Sequence, residues 1–327
     1  MKHYLNFIHN QWVASDHDAA FDVDNPATEL VVATVSAASA VQALAACDHA
    51  ATAQRAWRKT TSIERGNYLR RLADAIDARK DAIGQALALE SGKSLEDATN
   101  EAVYAAEITR YHAEWARRIE GEIIPSDSPS ENLLLHREPI GVVACLIPFN
   151  YPVYTLLRKI APALIAGNTV VVRPSNNTPC SAFEIAQAVL DAGLPPGAVN
   201  IMTMAHDAAQ AMCTHPKVGM ITLTGGVAAG RRVLDYCKPN IAKPSLELGG
   251  KTPAIVAADA DLEKAANDIV RSKTTHCGQL CTAVERVYVQ EQVHDALVAK
   301  LREKMSMRQF GNRADQPDQM GPLISAA

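Results

Sequence analysis

From Ile140 onward the chain alternates short runs of β-branched residues with helical stretches, and this alternation limits the fold more than any other feature. The strand candidates are Gly141–Ile147, Thr169–Val172, Val199–Met202, Gly219–Leu223 and Ala254–Val256. Between them lie the helical segments Val153–Ala166, Ser181–Asp191, Ala208–Thr214 and Ala228–Cys237. Strands this uniformly apolar are buried on both faces, and strands joined through helices run parallel. The expected fold class is α/β with a doubly wound parallel sheet, in which ligands sit beyond the carboxyl ends of the strands. The turns after each strand are therefore where function is sought.

Ahead of that region, Asn6-Phe7-Ile8 and Gln11-Trp12-Val13 read as short strands around His9-Asn10, and Asp24-Asn25-Pro26 is a turn signal. Three helical segments follow. In the second, Ile63, Leu69, Leu72, Ile76, Ile83 and Leu87 make one apolar stripe. Thr61 with Glu64 resembles a capping box, and Ser91-Gly92 supplies a stop. The third helix runs from about Leu95 to Ile119 and ends at Gly121. Residues 122–137 then form an arm with strand-like ends, Glu122-Ile123-Ile124 and Leu133-Leu134-Leu135. Its leucines call either for a partner surface or for a fold back onto the same domain.

A chain of 327 residues has room for two cores. With a net charge of -4 and no dense Lys/Arg run, it carries no overall footprint for nucleic acid or an anionic membrane. The segment Met1-Lys2-His3-Tyr4-Leu5-Asn6-Phe7 lacks the apolar centre of a signal peptide, and no apolar stretch is long enough to span a bilayer. Cys47, Cys145, Cys180, Cys213, Cys237, Cys277 and Cys281 are scattered and odd in number, so the reading is a reduced, cytoplasmic protein. Cys277 and Cys281 with His276 lack the second pair that a structural zinc site needs, and no metal is expected.

Chemistry is concentrated in Leu246-Glu247-Leu248-Gly249-Gly250-Lys251 and Gly278-Gln279-Leu280-Cys281. A cysteine in a polar turn and a carboxylate beside a double glycine are the equipment of covalent thiol catalysis. The thiol attacks a carbonyl and the carboxylate activates water. In a strand, Glu247 points with Ser245 and away from Leu246 and Leu248. Taken singly, Cys281 is compatible with a buried small hydrophobe and Glu247 with an exposed strand carboxylate. After the first strand, Pro148-Phe149-Asn150-Tyr151-Pro152 leaves an amide at the mouth of the sheet, although an Asn in a turn is commonly only a turn residue. Arg173-Pro174-Ser175-Asn176 follows the second strand, with a cation and small polar groups where a ribose can rest. Thr224-Gly225-Gly226 follows the fourth, with Gly230 in the next helix. Those glycines let the backbone approach a phosphate at a helix N-terminus, without the G-x-G-x-x-G spacing.

In this order the segments resemble the NAD(P)-dependent aldehyde dehydrogenase superfamily. The stretches that carry the resemblance are Asp24–Thr28, Glu138–Val142, Pro148–Asn150, Lys159–Leu164, Ala166–Val172, Leu246–Lys251 and Gly278–Cys281. Ala113–Ile124 and Ala283–Val289 look more narrowly like bacterial lactaldehyde/glycolaldehyde dehydrogenases. The resemblance implies a helical region and Rossmann-like NAD(P)-binding domain over 1–121 and 138–248, an oligomerisation hairpin over 122–137, and a catalytic domain over 249–327. It implies oxidation of a small aldehyde to the acid with NAD or NADP, succinate semialdehyde being an alternative substrate. Cys281 matches the nucleophile, which forms a thiohemiacetal and, after hydride transfer, a thioester. Asn150 and the backbone N–H of Cys281 match the oxyanion hole. Glu247 matches the base for hydrolysis, which disfavours transfer to coenzyme A. Lys159 matches a proton-relay lysine, against a solvated helix lysine, and Arg158 is a possible anchor for a polar substrate. Cofactor contacts are expected from Pro148, Phe149, Asn150, Arg173, Ser175, Asn176, Gly225, Gly226, Gly230 and Leu248.

Four departures qualify the resemblance. Where most of the family reads K-P-S-E this chain has Arg173-Pro174-Ser175-Asn176, which removes the carboxylate that repels a 2′-phosphate and keeps a phosphate partner. Gly226 replaces a small polar residue, and Phe149 stands where tryptophan is common. The sequence ends at Ala327, in the middle of the family's catalytic domain, and its Phe310-Gly311 is followed by Asn312 rather than completing E-x-F-G-P. The resemblance then implies a truncated chain with little or no turnover by itself and poor association. The competing reading is a non-catalytic nucleotide-binding remnant or a partner of a full-length relative.

Overall fold

A computed structural model of the chain describes residues 1–311 and 320–326; Asn312 and Ala327 lie outside them. The chain opens with β1 (Lys2–Tyr4), β2 (Asn6–Ile8), β3 (Gln11–Val13), β4 (Ala20–Asn25) and β5 (Leu30–Ala38). Helices α1 (Ala40–Trp57), α2 (Ser62–Ala78), α3 (Lys80–Ser91) and α4 (Leu95–Ala113) follow, then the hairpin β6 (Glu122–Ile124) and β7 (Leu133–Leu135). The alternating region is β8 (Val142–Leu146), α5 (Pro152–Ile165), β9 (Thr169–Arg173), α6 (Cys180–Asp191), β10 (Val199–Ile201), β11 (Thr203–Met204) and α7 (His206–Cys213). It continues through β12 (Val218–Gly225), α8 (Val227–Cys237) and β13 (Lys243–Leu248). Beyond it come β14 (Thr252–Val256), α9 (Leu262–Thr274), β15 (Val284–Val289) and α10 (His294–Ser306).

Seven strands form the main sheet in the order β13-β12-β8-β9-β10-β2-β3. Neighbours from β13 to β10 are parallel. β2 joins β10 antiparallel, with Ile201 opposite Phe7, and β3 completes that edge as a hairpin. His9 and Asn10 take φ of 53° and 59°, the left-handed pair that a two-residue hairpin turn requires. Residues of the central strands divide by parity. Val143, Cys145, Val170 and Val172 enter one core with α2, α4, α5 and α6, while Val142, Ala144 and Val171 enter another with α1, α7 and α8. A sheet covered on both faces in this way is doubly wound.

Ala254–Val256 is not a strand of this sheet. It lies in β14, which pairs in parallel with β15 in a separate two-stranded sheet, and the fifth parallel strand is β13. β13 lacks a β-branched run because it is an edge, with Lys243, Pro244, Ser245 and Glu247 all exposed. The stripe from Ile63 to Leu87 is shared by two helices, since Arg79 at φ −108°, ψ 5° separates α2 from α3. The break falls between Ile76 and Ile83, and both halves still enter the same core; Ile63 is 39% exposed and lies outside it. Helix α4 stops at Ala113 and passes into a 3-10 turn over Glu114–Arg117 instead of running on to Ile119. The hairpin β6–β7 does not fold back: it is a sheet of its own, and every residue of both strands is exposed.

Helix starts follow their sequence signals. Ser39 with Gln42 and Thr61 with Glu64 form reciprocal capping boxes, and Gly92 at φ 69° ends α3 in the left-handed conformation. Helices α5 and α6 have no side-chain cap of their own. Carboxylates from the helical layer meet their free N–H groups instead, as the partial positive charge at a helix N-terminus favours. Glu90 of α3 accepts from the backbone N–H groups of Cys180 at 2.6 Å and Ser181 at 3.1 Å, and from the Ser181 hydroxyl at 2.5 Å. Glu101 of α4 accepts from the N–H groups of Val153 at 2.9 Å and Tyr154 at 3.1 Å.

Complete burial pushes the Glu90 carboxyl up from 4.5 to about 7, against the pull of those donors. Between these values the unfolded chain is ionised while the folded protein keeps the proton. The stability that Glu90 contributes is thus present at low pH and lost as the pH rises through about 7. Urea unfolding across this window is expected to report that decline, and Glu90→Gln to flatten it; a variant that keeps the wild-type slope would disprove the assignment.

Candidate active site

The register of the main sheet sets the level of the site. Arg173, Leu146, Leu223 and Leu246 lie abreast on β9, β8, β12 and β13. The turns beyond them, one face of α4 and the segment 278–282 enclose a cavity of about 1040 Å³. Pro148, Phe149, Asn150, Arg173, Ser175, Gly225, Gly226, Glu247, Leu248 and Cys281 all line it. Lys159, Asn176 and Gly230 are not among the lining residues.

Cys281 is exposed, whereas Cys47, Cys145, Cys180, Cys213 and Cys237 are buried. It follows a turn in which His276, Cys277 and Gly278 take φ of 47°, 56° and 71°. Only the glycine adopts such a conformation at no steric cost. A Cβ on Gly278 would also lie 2.8 Å from the Lys273 carbonyl oxygen. Asn150 Nδ2 donates to the Gln279 carbonyl at 2.8 Å and so ties the first post-strand turn to the cysteine turn. An amide has two N–H donors, and this bond leaves one. Asn150 Oδ1 accepts from the Tyr151 N–H at 2.9 Å, which fixes the plane of the amide.

Glu247 stands level with Thr224, 3.5 Å from Arg158 Nη2. Both side chains are half exposed or more, so solvent screens the pair. Lys159, by contrast, is no solvated helix lysine. It is buried, and its Nζ donates to Thr222 Oγ1 at 2.8 Å. It lines a second cavity of about 350 Å³ that shares Thr155, Arg158, Thr224 and Glu247 with the first. Burial pushes the amine down from 10.5 to about 8, with Cys145 and Glu247 pulling the other way.

On the opposite wall, Arg173 donates from Nε and Nη2 to the Met204 carbonyl at 3.4 and 3.3 Å, and from Nη2 to Asn176 Oδ1 at 3.4 Å. Asn176 Nδ2 reaches the same carbonyl at 3.5 Å, so Asn176 backs Arg173 from behind the wall. Gly226 precedes α8 with no side-chain cap, and a Cβ there would meet nothing within 4 Å. Gly230 has a packing role. A Cβ on it would lie 2.9 Å from Leu248 Cδ2, so the glycine lets α8 close on β13 and seat Leu248.

Of the wall contributed by α4 and the start of α5, sequence reading singled out only Arg158. Tyr104, Glu107, Ile108 and Tyr111 line the cavity together with Tyr151, Tyr154 and Arg158. Their spacing of three, four and seven was a signal that the first group shares one face of α4. Nothing in the spacing says that this face looks onto a cavity rather than bulk solvent.

The folded protein releases the Lys159 proton near 8 while the unfolded chain keeps it to 10.5, so stability rises with pH across that window. Lys159→Met should abolish the rise when Tm is followed against pH. Retention of the slope in that variant would count against the depressed amine.

Residues 12–327 match the aldehyde dehydrogenase family. The chain is 43% identical over 323 residues to lactaldehyde dehydrogenase of Escherichia coli K12, covering 98% of this chain and 67% of the relative. It is 36% identical to an E. coli succinate-semialdehyde dehydrogenase [NADP(+)], covering 97% of this chain and 66% of that one. A crystal structure of E. coli lactaldehyde dehydrogenase superposes with a TM-score of 0.96 at 42% identity, over 99% of this chain and 69% of the other. The chain spans about two thirds of the length of these relatives. Its sheet order, its post-strand turns and these matches agree: the chain belongs to the aldehyde dehydrogenase family.

Proposed function

We propose that the chain carries out thiol-dependent oxidation of a small hydroxylated aldehyde, of the lactaldehyde or glycolaldehyde kind, with NAD or NADP. The observation that carries this reading is the convergence of Cys281, Asn150, Glu247 and the Gly225-Gly226 turn on one cavity. Cys281 Sγ adds to the aldehyde carbon and forms a thiohemiacetal. Asn150 Nδ2 and the Cys281 backbone N–H receive the developing oxyanion, each such donor being worth roughly 3 kcal/mol. Glu247 later takes a proton from the water that hydrolyses the Cys281 thioester, and Lys159 Nζ, which shares the second cavity with Glu247, passes that proton onward.

A dinucleotide fits the residues present. The open space above Gly226 and the uncapped start of α8 suit a pyrophosphate. Arg173 and Ser175, backed by Asn176, suit the adenosine ribose, while Pro148, Phe149 and Leu248 flank the groove. When bound, the nicotinamide supplies a hydride acceptor. With Asn176 in place of a carboxylate and Arg173 beside it, NADP is accepted as well as NAD.

The substrate class follows from charge at the α4 wall. A carboxylate on the substrate would face Glu107 and Glu247, and the cation beside them, Arg158, already faces Glu247. A hydroxyl group would instead meet the phenols of Tyr104, Tyr111 and Tyr154. This favours a hydroxyaldehyde over a semialdehyde acid. The exposed apolar strands β6 and β7 supply the surface for a second copy of the chain.

A second reading, nucleotide binding without turnover, is favoured by the uncovered sheet β14–β15, where Ile255 is 82% and Tyr288 56% exposed. Mixing the chain with glycolaldehyde and either NAD or NADP separates the two. NADH and NADPH should form with comparable efficiency, and Cys281→Ala should form neither. A large preference for NAD would sink the NADP assignment. Absence of both products from the wild type, with nucleotide binding retained in calorimetry, would decide for the second reading.

A further inference from the structure

The start of α5 is held from outside the helix. Tyr151 precedes it with no side-chain cap, and Pro152 occupies the first turn. Glu101 Oε1 accepts the next two N–H groups, of Val153 and Tyr154. The other oxygen, Glu101 Oε2, is 2.6 Å from Lys93 Nζ, and the side chains are 3% and 0% exposed for Lys93 and Glu101. The same ammonium lies 3.7 Å from the centre of the Tyr151 ring. The two residues of one buried pair therefore hold the first turn of α5 and the ring of Tyr151, the residue that joins that turn to Asn150.

An ion pair this deep is costly to bury and gives no net stability to be expected from apolar replacement. Its geometry, though, bears on the amide. Tyr151 N–H is donated to Asn150 Oδ1, and Asn150 Nδ2 is donated to the Gln279 carbonyl two residues before Cys281. If Tyr151 shifts, the oxygen end of the amide moves with it. The Tyr151 ring also sits edge-on to His276, 6.5 Å between centroids, within the left-handed turn that leads to Cys281. A displacement of less than an ångström at such a donor weakens its action on a developing charge far more than its ground-state contacts.

We propose that Lys93 and Glu101 are positioning residues for Asn150: their buried pair fixes the first turn of α5 and the Tyr151 ring, and through them aims the Asn150 amide at the carbonyl that Cys281 attacks. This rests on the reading of Asn150 as an oxyanion donor. The pair itself touches neither substrate nor thiol.

Two reactions of the same sulfur test it in the full chain without any cofactor. Acylation of Cys281 by p-nitrophenyl acetate passes through a tetrahedral oxyanion and releases p-nitrophenolate. Alkylation by iodoacetamide displaces iodide at a saturated carbon and needs no oxyanion donor. Cys281→Ala supplies the background for both. Asn150→Ala should slow acylation by about 10²-fold and leave alkylation within about twofold. Glu101→Gln and Lys93→Met should slow acylation by about tenfold with alkylation likewise preserved, and Lys93→Arg, which keeps the cation, should restore most of the rate. Normal acylation in Asn150→Ala would overturn the oxyanion reading and the proposal with it. Slow acylation in Asn150→Ala but wild-type rates in Glu101→Gln and Lys93→Met would overturn the proposal alone. A parallel fall in acylation and alkylation would make the pair merely structural and overturn it too. Glu101→Gln retains the shape of the side chain, so it carries the test even if Lys93→Met does not fold.

Discussion

Strands buried on both faces must hand the chain to a helix before they can pair again, and the crossover brings every parallel strand back pointing the same way. That one constraint assembles the site. Segments as far apart as Pro148 and Gly226 meet because β8, β9, β12 and β13 all end on the same edge, in register. The turns themselves need little affinity for one another. What they need is a sheet that does not slip, and two apolar cores pressing on alternate residues provide it.

The parts of the fold that were legible in the sequence are those where local pattern and burial agree. β8 and β9 are rich in Val because both faces are covered; the hairpin strands β6 and β7, which are wholly exposed, were legible only from their clustered isoleucines and leucines. β13 was less legible as a sheet strand, since an edge with Lys, Pro and Glu has no β-branched run to announce it. The stripe across α2 and α3 misled for the opposite reason. Its period is continuous although the helix is not, because a bend of one residue at Arg79 leaves both halves on the same core.

At the site, residues that belong to short motifs were readable and residues supplied by a neighbouring layer were not. Cys281, Asn150 and the glycine turn announce themselves by local context, and all of them line the cavity. Lys159 was ambiguous because helix position alone does not separate a solvated lysine from one bonded to Thr222. Gly230 does not line the cavity, and its missing side chain makes room for Leu248. Glu90 and Glu101 left no trace at all. A carboxylate that caps another helix is a long-range contact, and nothing in its own neighbourhood records the partner.

The seven thiols differ in a way that reaches beyond catalysis. Burial pushes Cys47, Cys145 and Cys213 up to about 12, so each stays protonated and inert under ordinary conditions. Cys180 and Cys237 are shifted the same way by the same cause. Cys277 is partly covered and donates from Sγ to the Gly321 carbonyl at 2.7 Å. Only at Cys281 does sulfur stand open to solvent. To a passing electrophile, whether toxin, drug or reporter dye, this protein of seven thiols looks like a molecule with one handle.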